Sequence, residues 1–369
     1  MTELYLANSQ KLKNKNNAGA NEWLEIHKLV NVNVCLVDRS QNLKLPYKFK
    51  LYDKFKMPSI PLSFNMTYEE CCERRATELY EKSKRLDLPL YVFYSGGIDS
   101  TLVMISLMKV VPKNDWGRIV VVLSLDSIRE YPLFYQKHIR GNFKITSSEN
   151  MSIYFNKKCL IVGGEHNDQL FGTDVVSDMQ SKIPFDTVFK EYSKDIIMKY
   201  FQEHNMSEES SSLWYDVVHN NATNAPCEIK TVHEFFWWLN FNFKWQAVFF
   251  RMLLRVDKQF RPFIDDEFVD TYFHHFYSED YFQMWAMSNK HLKIKDTWSS
   301  YKFHAKELIY NFTGDADYRD NKQKANSLHK LFIAKDTPIA LSSKYEYMYE
   351  LDQNDLYVPE NDFIRIDNG

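Results

Sequence analysis

The sequence predicts an α/β protein: a parallel sheet with helices on both faces, then a mainly helical lobe, with a small β-containing N-terminal extension. Three observations predict it. LPLYVFY (88–94), RIVVVLSL (118–125) and KCLIVGG (158–164) are short apolar runs of strand length. Segments of helical composition separate them, and strands alternating with helices read as a parallel sheet. Beyond about residue 180 no run of comparable strand character follows, whereas VHEFFWWLNFNFKWQAVFFRMLLRV (232–256) reads as buried helix packed through its aromatic side chains. The expected division is an extension over 1–66, a sheet domain over 67–180 and a lobe over 181–369.

The elements follow in order. Residues 1 to about 20 are polar and without period, a mobile tail. VNVNVCLV (30–37) alternates, as a half-buried strand does. YKFKLYDKFK (47–56) alternates as well, with Tyr47, Phe49 and Leu51 on one face. It reads as an exposed strand guarded by lysines, in preference to a stacking surface for single-stranded nucleic acid. Thr67 and Glu70 form a capping box, and Tyr68, Cys71, Cys72, Ala76 and Leu79 recur at helical spacing to about Arg85. Leu102 to Val111 is helical and stops before Pro112. SIREYPLFYQKHI is a further helix, with Pro132 in its first turns.

Composition removes several function classes. Hydrophobic residues make up 44% and charged residues 26%, so the chain can bury a core. Lys+Arg 46 against Asp+Glu 49 gives a charge of -3, which disfavours a protein held to nucleic acid by net charge. No apolar run approaches the roughly 20 residues of a membrane span, and the N-terminus is not a signal peptide. Five cysteines, odd in number and without CxxC spacing, predict a reducing compartment, no zinc site and no disulfides. A cytoplasmic protein is expected. Cys71 and Cys72 read as structural. His274 and His275 lack HExxH partners and are not expected to bind metal. His166 reads as a surface turn residue in preference to a proton sensor.

YVFYSGGIDSTLVM carries the chemistry. Ser95, Gly96, Gly97, Asp99, Ser100 and Thr101 leave a buried strand and open a helix, where free backbone N–H groups and the helix dipole favour an anion. Two glycines allow close approach of phosphate oxygens, and the hydroxyls add donors. Asp99 would repel a phosphate unless Mg²⁺ lay between them. No lysine follows at GxxxxGK[ST] spacing.

SGGIDS resembles the signature of the PP-loop ATP pyrophosphatases, of the adenine-nucleotide alpha-hydrolase-like fold. A second segment, Gly163 to Gly172, resembles the asparagine synthetase sequence G-E-G-A-D-E-L-F-G. Gly164, Glu165, Asp168, Leu170, Phe171 and Gly172 match; His166, Asn167 and Gln169 depart. The resemblance implies that Asp168 completes a Mg²⁺ site with Asp99 and that Glu165 deprotonates an incoming amine or ammonia. An acidic N-cap is the structural alternative for this pair. Gly164 and Ser124, the latter closing the second strand, join the nucleotide-binding set. RPFIDDEFVD (261–270) resembles the family's R-V-P-F-L-D-x-E-x-V, and Arg261, Pro262, Phe263, Asp265, Glu267 and Val269 are expected to brace the pocket. DYRDNKQKANS (317–327) is similar to the family's R-x-K, with Lys322 preferred over Lys324 as the phosphate-contacting lysine.

Asparagine synthetases open with a glutaminase domain of about two hundred residues and a catalytic cysteine after Met1. Here residue 2 is Thr2, so glutamine hydrolysis is not expected. The resemblance implies an ATP- and Mg²⁺-dependent ligase. It adenylates a carboxylate or carbonyl oxygen, joins it to ammonia or an amine, and releases AMP and pyrophosphate. A separate protein could deliver the ammonia. The alternatives are a PP-loop enzyme modifying tRNA or nucleotides, and a nucleotide-binding protein without catalysis.

Overall fold

Leu90–Phe93 (β1), Ile119–Leu123 (β2) and Leu160–Gly163 (β4) coincide with the three apolar runs, and their side chains are buried almost without exception. The structure is a computed structural model and describes residues 3–5, 36–42, 48–49, 51, 53–172, 183–253, 256–322, 340–342 and 349–350. Lys144–Ser147 (β3) and Phe273–His275 (β5) complete a five-stranded sheet in the order β3-β2-β1-β4-β5. Every pairing is parallel, with Val92 opposite both Val121 and Val162, and Gly163 opposite His275. Chain order runs outward one way from β1 through β2 to β3 and the other way from β4 to β5. The reversal lies between β1 and β4.

Two strands of this sheet were not foreseen. β3 is polar and largely exposed, so it lacks an apolar signature. β5 lies beyond residue 180, where no run of comparable strand character was read: it is only three residues long, and two of them are histidines.

The helices begin with Tyr68–Leu86 (α1), held at its start by the capping box of Thr67 and Glu70. Ile98–Val110 (α2) starts four residues before the expected Leu102 and ends ahead of Pro112. Leu125–Glu130 (α3) is shorter than expected. Pro132 forces Tyr131 out of helical geometry (φ -145, ψ 76), and the chain resumes as Pro132–Phe134 and a π turn at Tyr135–Ile139. Asp280–Ser288 (α4), Phe303–Thr313 (α5) and Ala316–Asn321 (α6) follow β5.

The chain divides into two discontinuous units, one of residues 61–167 with 255–333, the other of 1–60, 168–254 and 334–369. The sheet unit therefore draws its last strand and α4 to α6 from the segment expected as a separate lobe. The contiguous division at 66 and 180 does not match this partition.

The second unit contains helices Lys194–Glu203, Glu208–Ala222, Val232–Trp238 and Trp245–Phe250. Trp214, Trp237, Trp238 and Trp245 are fully buried, so the aromatic density of 232–250 is packing, as read. The indole of Trp238 donates to Asn221 Oδ1 at 2.7 Å, and Asn221 and Asn242 both donate to the buried Asp38 carboxylate. Glu3–Tyr5 pairs with Ala340–Ser342 and Lys48–Phe49 with Tyr349–Glu350, both antiparallel. Residues 3–5 are thus strand where a tail was expected; the rest of 1–20, and 30–35 of the next expected strand, lie outside the described residues. Among the described residues no helix is long and apolar enough to cross a membrane. Cys71 and Cys72 are buried within α1, and burial pushes the Cys71 thiol up to about 12 and raises that of Cys72, which suits structural thiols.

Candidate functional site

The carboxyl ends of β1 and β4 flank the point where strand order reverses, the crevice in which open parallel sheets bind ligands. Both sequence motifs sit there. After β1 the chain turns through Ser95, Gly96 and Gly97 into α2. Gly96 has φ +78, and a Cβ on it would lie 2.3 Å from Ser127 O and 2.7 Å from Glu130 Cβ, so the turn admits glycine alone. Serines close the turn: Ser95 N donates to Ser100 Oγ at 3.0 Å, and Gly97 N to Ser95 Oγ at 3.2 Å. Gly97, the N-cap of α2, caps the helix with no side chain, and an uncapped helix N-terminus is the kind of place an anion occupies.

Gly164 follows β4 and packs on this loop; a Cβ there would come within 3.2 Å of Ser100 N. Glu165 beside it is half-buried. His166 then adopts φ +76 and is buried, its ring edge-to-face on His275 with centroids 5.2 Å apart. It is a turn residue, as read, but the surface placement is corrected: β5, unseen in the sequence, covers it. Asn167 Nδ2 donates to Asp99 Oδ1 at 2.6 Å, and Asn167 Oδ1 accepts from Tyr68 at 2.6 Å. The departure from the family pattern at 167 is therefore a working contact of this chain.

Lysines complete the surroundings. Lys302, the N-cap of α5 at φ +59, places Nζ 2.6 and 2.7 Å from the two oxygens of Asp99. Its side chain is only 3% exposed, against 26% for Asp99. Tyr277 donates to the Asp99 carbonyl at 2.9 Å. One turn along α5, Lys306 is also buried and donates to Ser299 O at 2.5 Å. Burial lowers its pKa to about 8, helped by the like charges of Lys302 and Lys322 and opposed by Asp320. Lys322 ion-pairs with Glu130, the residue against Gly96, and lies over the Tyr318 ring. Tyr318 in turn stacks on Tyr131 at 3.9 Å and donates to Gly96 O at 3.4 Å.

The structure brings together Ser95, Gly96, Gly97, Asp99, Ser100, Gly164 and Lys322 of the expected residues. Thr101 is fully buried and its hydroxyl faces the phenols of Tyr94 and Tyr318, so it braces the loop from within. Ser124 caps α3 in a reciprocal bond with Ser127. Asp168 belongs to the second unit, where its carbonyl accepts from Gly172 N at 2.9 Å. Lys324 lies outside the described residues. Asp265 and Glu267 bind Lys157 at 2.6 and 2.7 Å, just before β4, so they fasten the end of that strand opposite the motif. Arg261, buried and bonded to Val256 O at 3.0 Å, likewise stays within its own turn.

A divalent ion does not fit the arrangement. The carboxylate expected to hold it accepts from an ammonium and an amide, and among the described residues no three His, Cys, Asp or Glu side chains group to hold a metal. Sequence reasoning missed Lys302, Lys306, Asn167, Glu130, Tyr277 and Tyr318. The one usable signal was the pair Lys302 and Lys306, four residues apart in a segment otherwise apolar on that side. No protein-family model and no curated protein matches the chain.

Proposed function

We propose that the chain is an ATP-dependent, AMP-forming carbon–nitrogen ligase, acting on a small-molecule acid and on ammonia or an amine. The observation that carries the reading is the meeting of the SGGIDS loop and the Gly164–Glu165 turn at the reversal point of the sheet. A carboxylate oxygen of the acid attacks the α-phosphorus of ATP, the bond to the bridging oxygen breaks, and pyrophosphate leaves. The first-turn N–H groups of α2 and the lysines beside them stabilise the charge that gathers on the leaving group. The nitrogen nucleophile then attacks the acyl carbon, Glu165 accepts its proton, and AMP departs. No step here is routed through a metal ion. Small-molecule partners and a cytoplasmic site of action belong to the same reading.

One observation favours a second reading, a nucleotide-binding protein without catalysis: Asp99 is held by Lys302. A screen of acids and amines with ATP, reading AMP, ADP and pyrophosphate, separates the two. AMP and pyrophosphate are expected; ADP and phosphate, or no turnover with any pair, would sink the ligase reading. In the active pair, Glu165→Gln should still exchange labelled pyrophosphate into ATP while product formation falls by roughly 10²–10⁴, the usual contribution of a general base. Equal loss of both activities would make Glu165 a structural residue.

A further inference from the structure

We propose that Lys302 is the built-in cation of the phosphate loop, standing at Asp99 where a divalent ion would otherwise stand, so that the chain holds a phosphate chain without a protein-bound metal. The inference rests on the reading of SGGIDS as a phosphate site and departs from the Mg²⁺ dependence that the resemblance implies. Four observations carry it. Both oxygens of Asp99 accept from Lys302 Nζ, and Oδ1 also from Asn167, a donor set that suits an ammonium partner. Lys302 is placed by its backbone: its N–H donates to Lys293 O at 3.1 Å and its carbonyl accepts from Lys306 N at 3.0 Å. Its side chain is almost fully buried, so the ammonium is fixed and desolvated at the mouth of the loop. Finally, Lys306 stands close enough to both Lys302 and Lys322 for their charges to interact, so three ammoniums gather beside the loop among the carboxylates of Asp99, Glu130 and Asp320.

Beside a helix N-terminus that no side chain caps, the ligand such an ammonium suits is a phosphate chain. An ammonium supplies point charge to phosphate oxygens as a metal does, without needing acidic ligands of its own. Asp99 orients Lys302, and so is a positioning residue for it.

The test is calorimetric binding of inorganic pyrophosphate to the full chain, in EDTA and in Mg²⁺. Binding in EDTA is expected. Lys302→Met should weaken it by about tenfold or more, the scale of a lost charge-assisted bond, while Lys302→Arg should restore part of it. Because Lys302→Met strands the Asp99 carboxylate, the double variant Lys302→Met/Asp99→Asn is measured alongside, with folding checked by circular dichroism. It too should lose binding in EDTA. Pyrophosphate binding that requires Mg²⁺, wild-type affinity in the folded double variant, or no binding under either condition overturns the inference. The two readings fail separately. Binding in EDTA with no AMP-forming turnover leaves the inference standing and the ligase reading fallen; AMP formation with Mg²⁺-dependent binding does the reverse.

Discussion

Gly96 carries the tightest constraint at the scale of single residues. Its positive φ costs any other residue about 1–2 kcal/mol, and a Cβ placed 2.3 Å from Ser127 O forces the loop or α3 to move. Gly96→Ala should therefore destabilise the chain by about 2–4 kcal/mol in chemical denaturation, from strain and overpacking together. Gly117→Ala, where nothing lies within 4 Å, should change stability little; equal effects at the two positions would refute the account. Lys306 makes a pH prediction. Its folded pKa lies near 8, below that of the unfolded chain, so between those values the unfolded state binds the extra proton. Stability contributed through Lys306 therefore rises as pH increases through 8, and the burial cost is fully present below it. Lys306→Met should lose this rise when denaturation curves are compared at pH 7 and 9.5. A wild-type curve that keeps the same slope as the variant would remove Lys306 from the account. The loop residues were legible because five residue types at fixed spacing follow an apolar run. Lys302 was not, because its partner stands 203 residues away and only the tertiary fold joins them.

Among elements, legibility followed how far a segment's own side chains announce its environment. α1 was readable at its start because the capping box is local: Thr67 Oγ1 accepts from Glu70 N, and Glu70 returns a bond to Thr67 N at 2.7 Å. The Glu70 carboxyl is correspondingly lowered, with the Thr67 backbone bond as the first cause. Thr67→Ala should cost about 1 kcal/mol, the usual worth of such a cap, seen as a shift in denaturant midpoint without a change in slope. A variant as stable as wild type would mean the cap is idle. β2 was equally plain, since all five of its residues are buried. β3 hid because an edge strand facing solvent needs no apolar run, and β5 because three residues carry no period. α3 was over-extended in the sequence reading because Pro132 fits a first helical turn, yet it is Tyr131, before the proline, that must leave the helix.

For the whole molecule, the discontinuity of the sheet unit decides what can fold alone. A contiguous piece spanning 61–172 holds both motifs but lacks β5, which pairs with β4 through Ile161, Val162 and Gly163. Without it, a strand whose side chains are all buried becomes an open edge, a surface that promotes association. The piece also loses Lys302, the partner of Asp99, and Tyr277, which binds the Asp99 carbonyl. Asp99 thereby loses its ammonium partner together with the packing around it. Residues 61–172 expressed alone should therefore aggregate or melt without cooperativity. Residues 61–167 joined to 255–333 by a flexible Gly/Ser linker restore β5, Lys302 and Lys322 to the same chain. That joined chain should unfold cooperatively in a thermal melt and bind pyrophosphate in EDTA. A cooperative melt for 61–172 would show that the sheet closes without its fifth strand, and the discontinuous unit would then be the wrong description of how this protein folds.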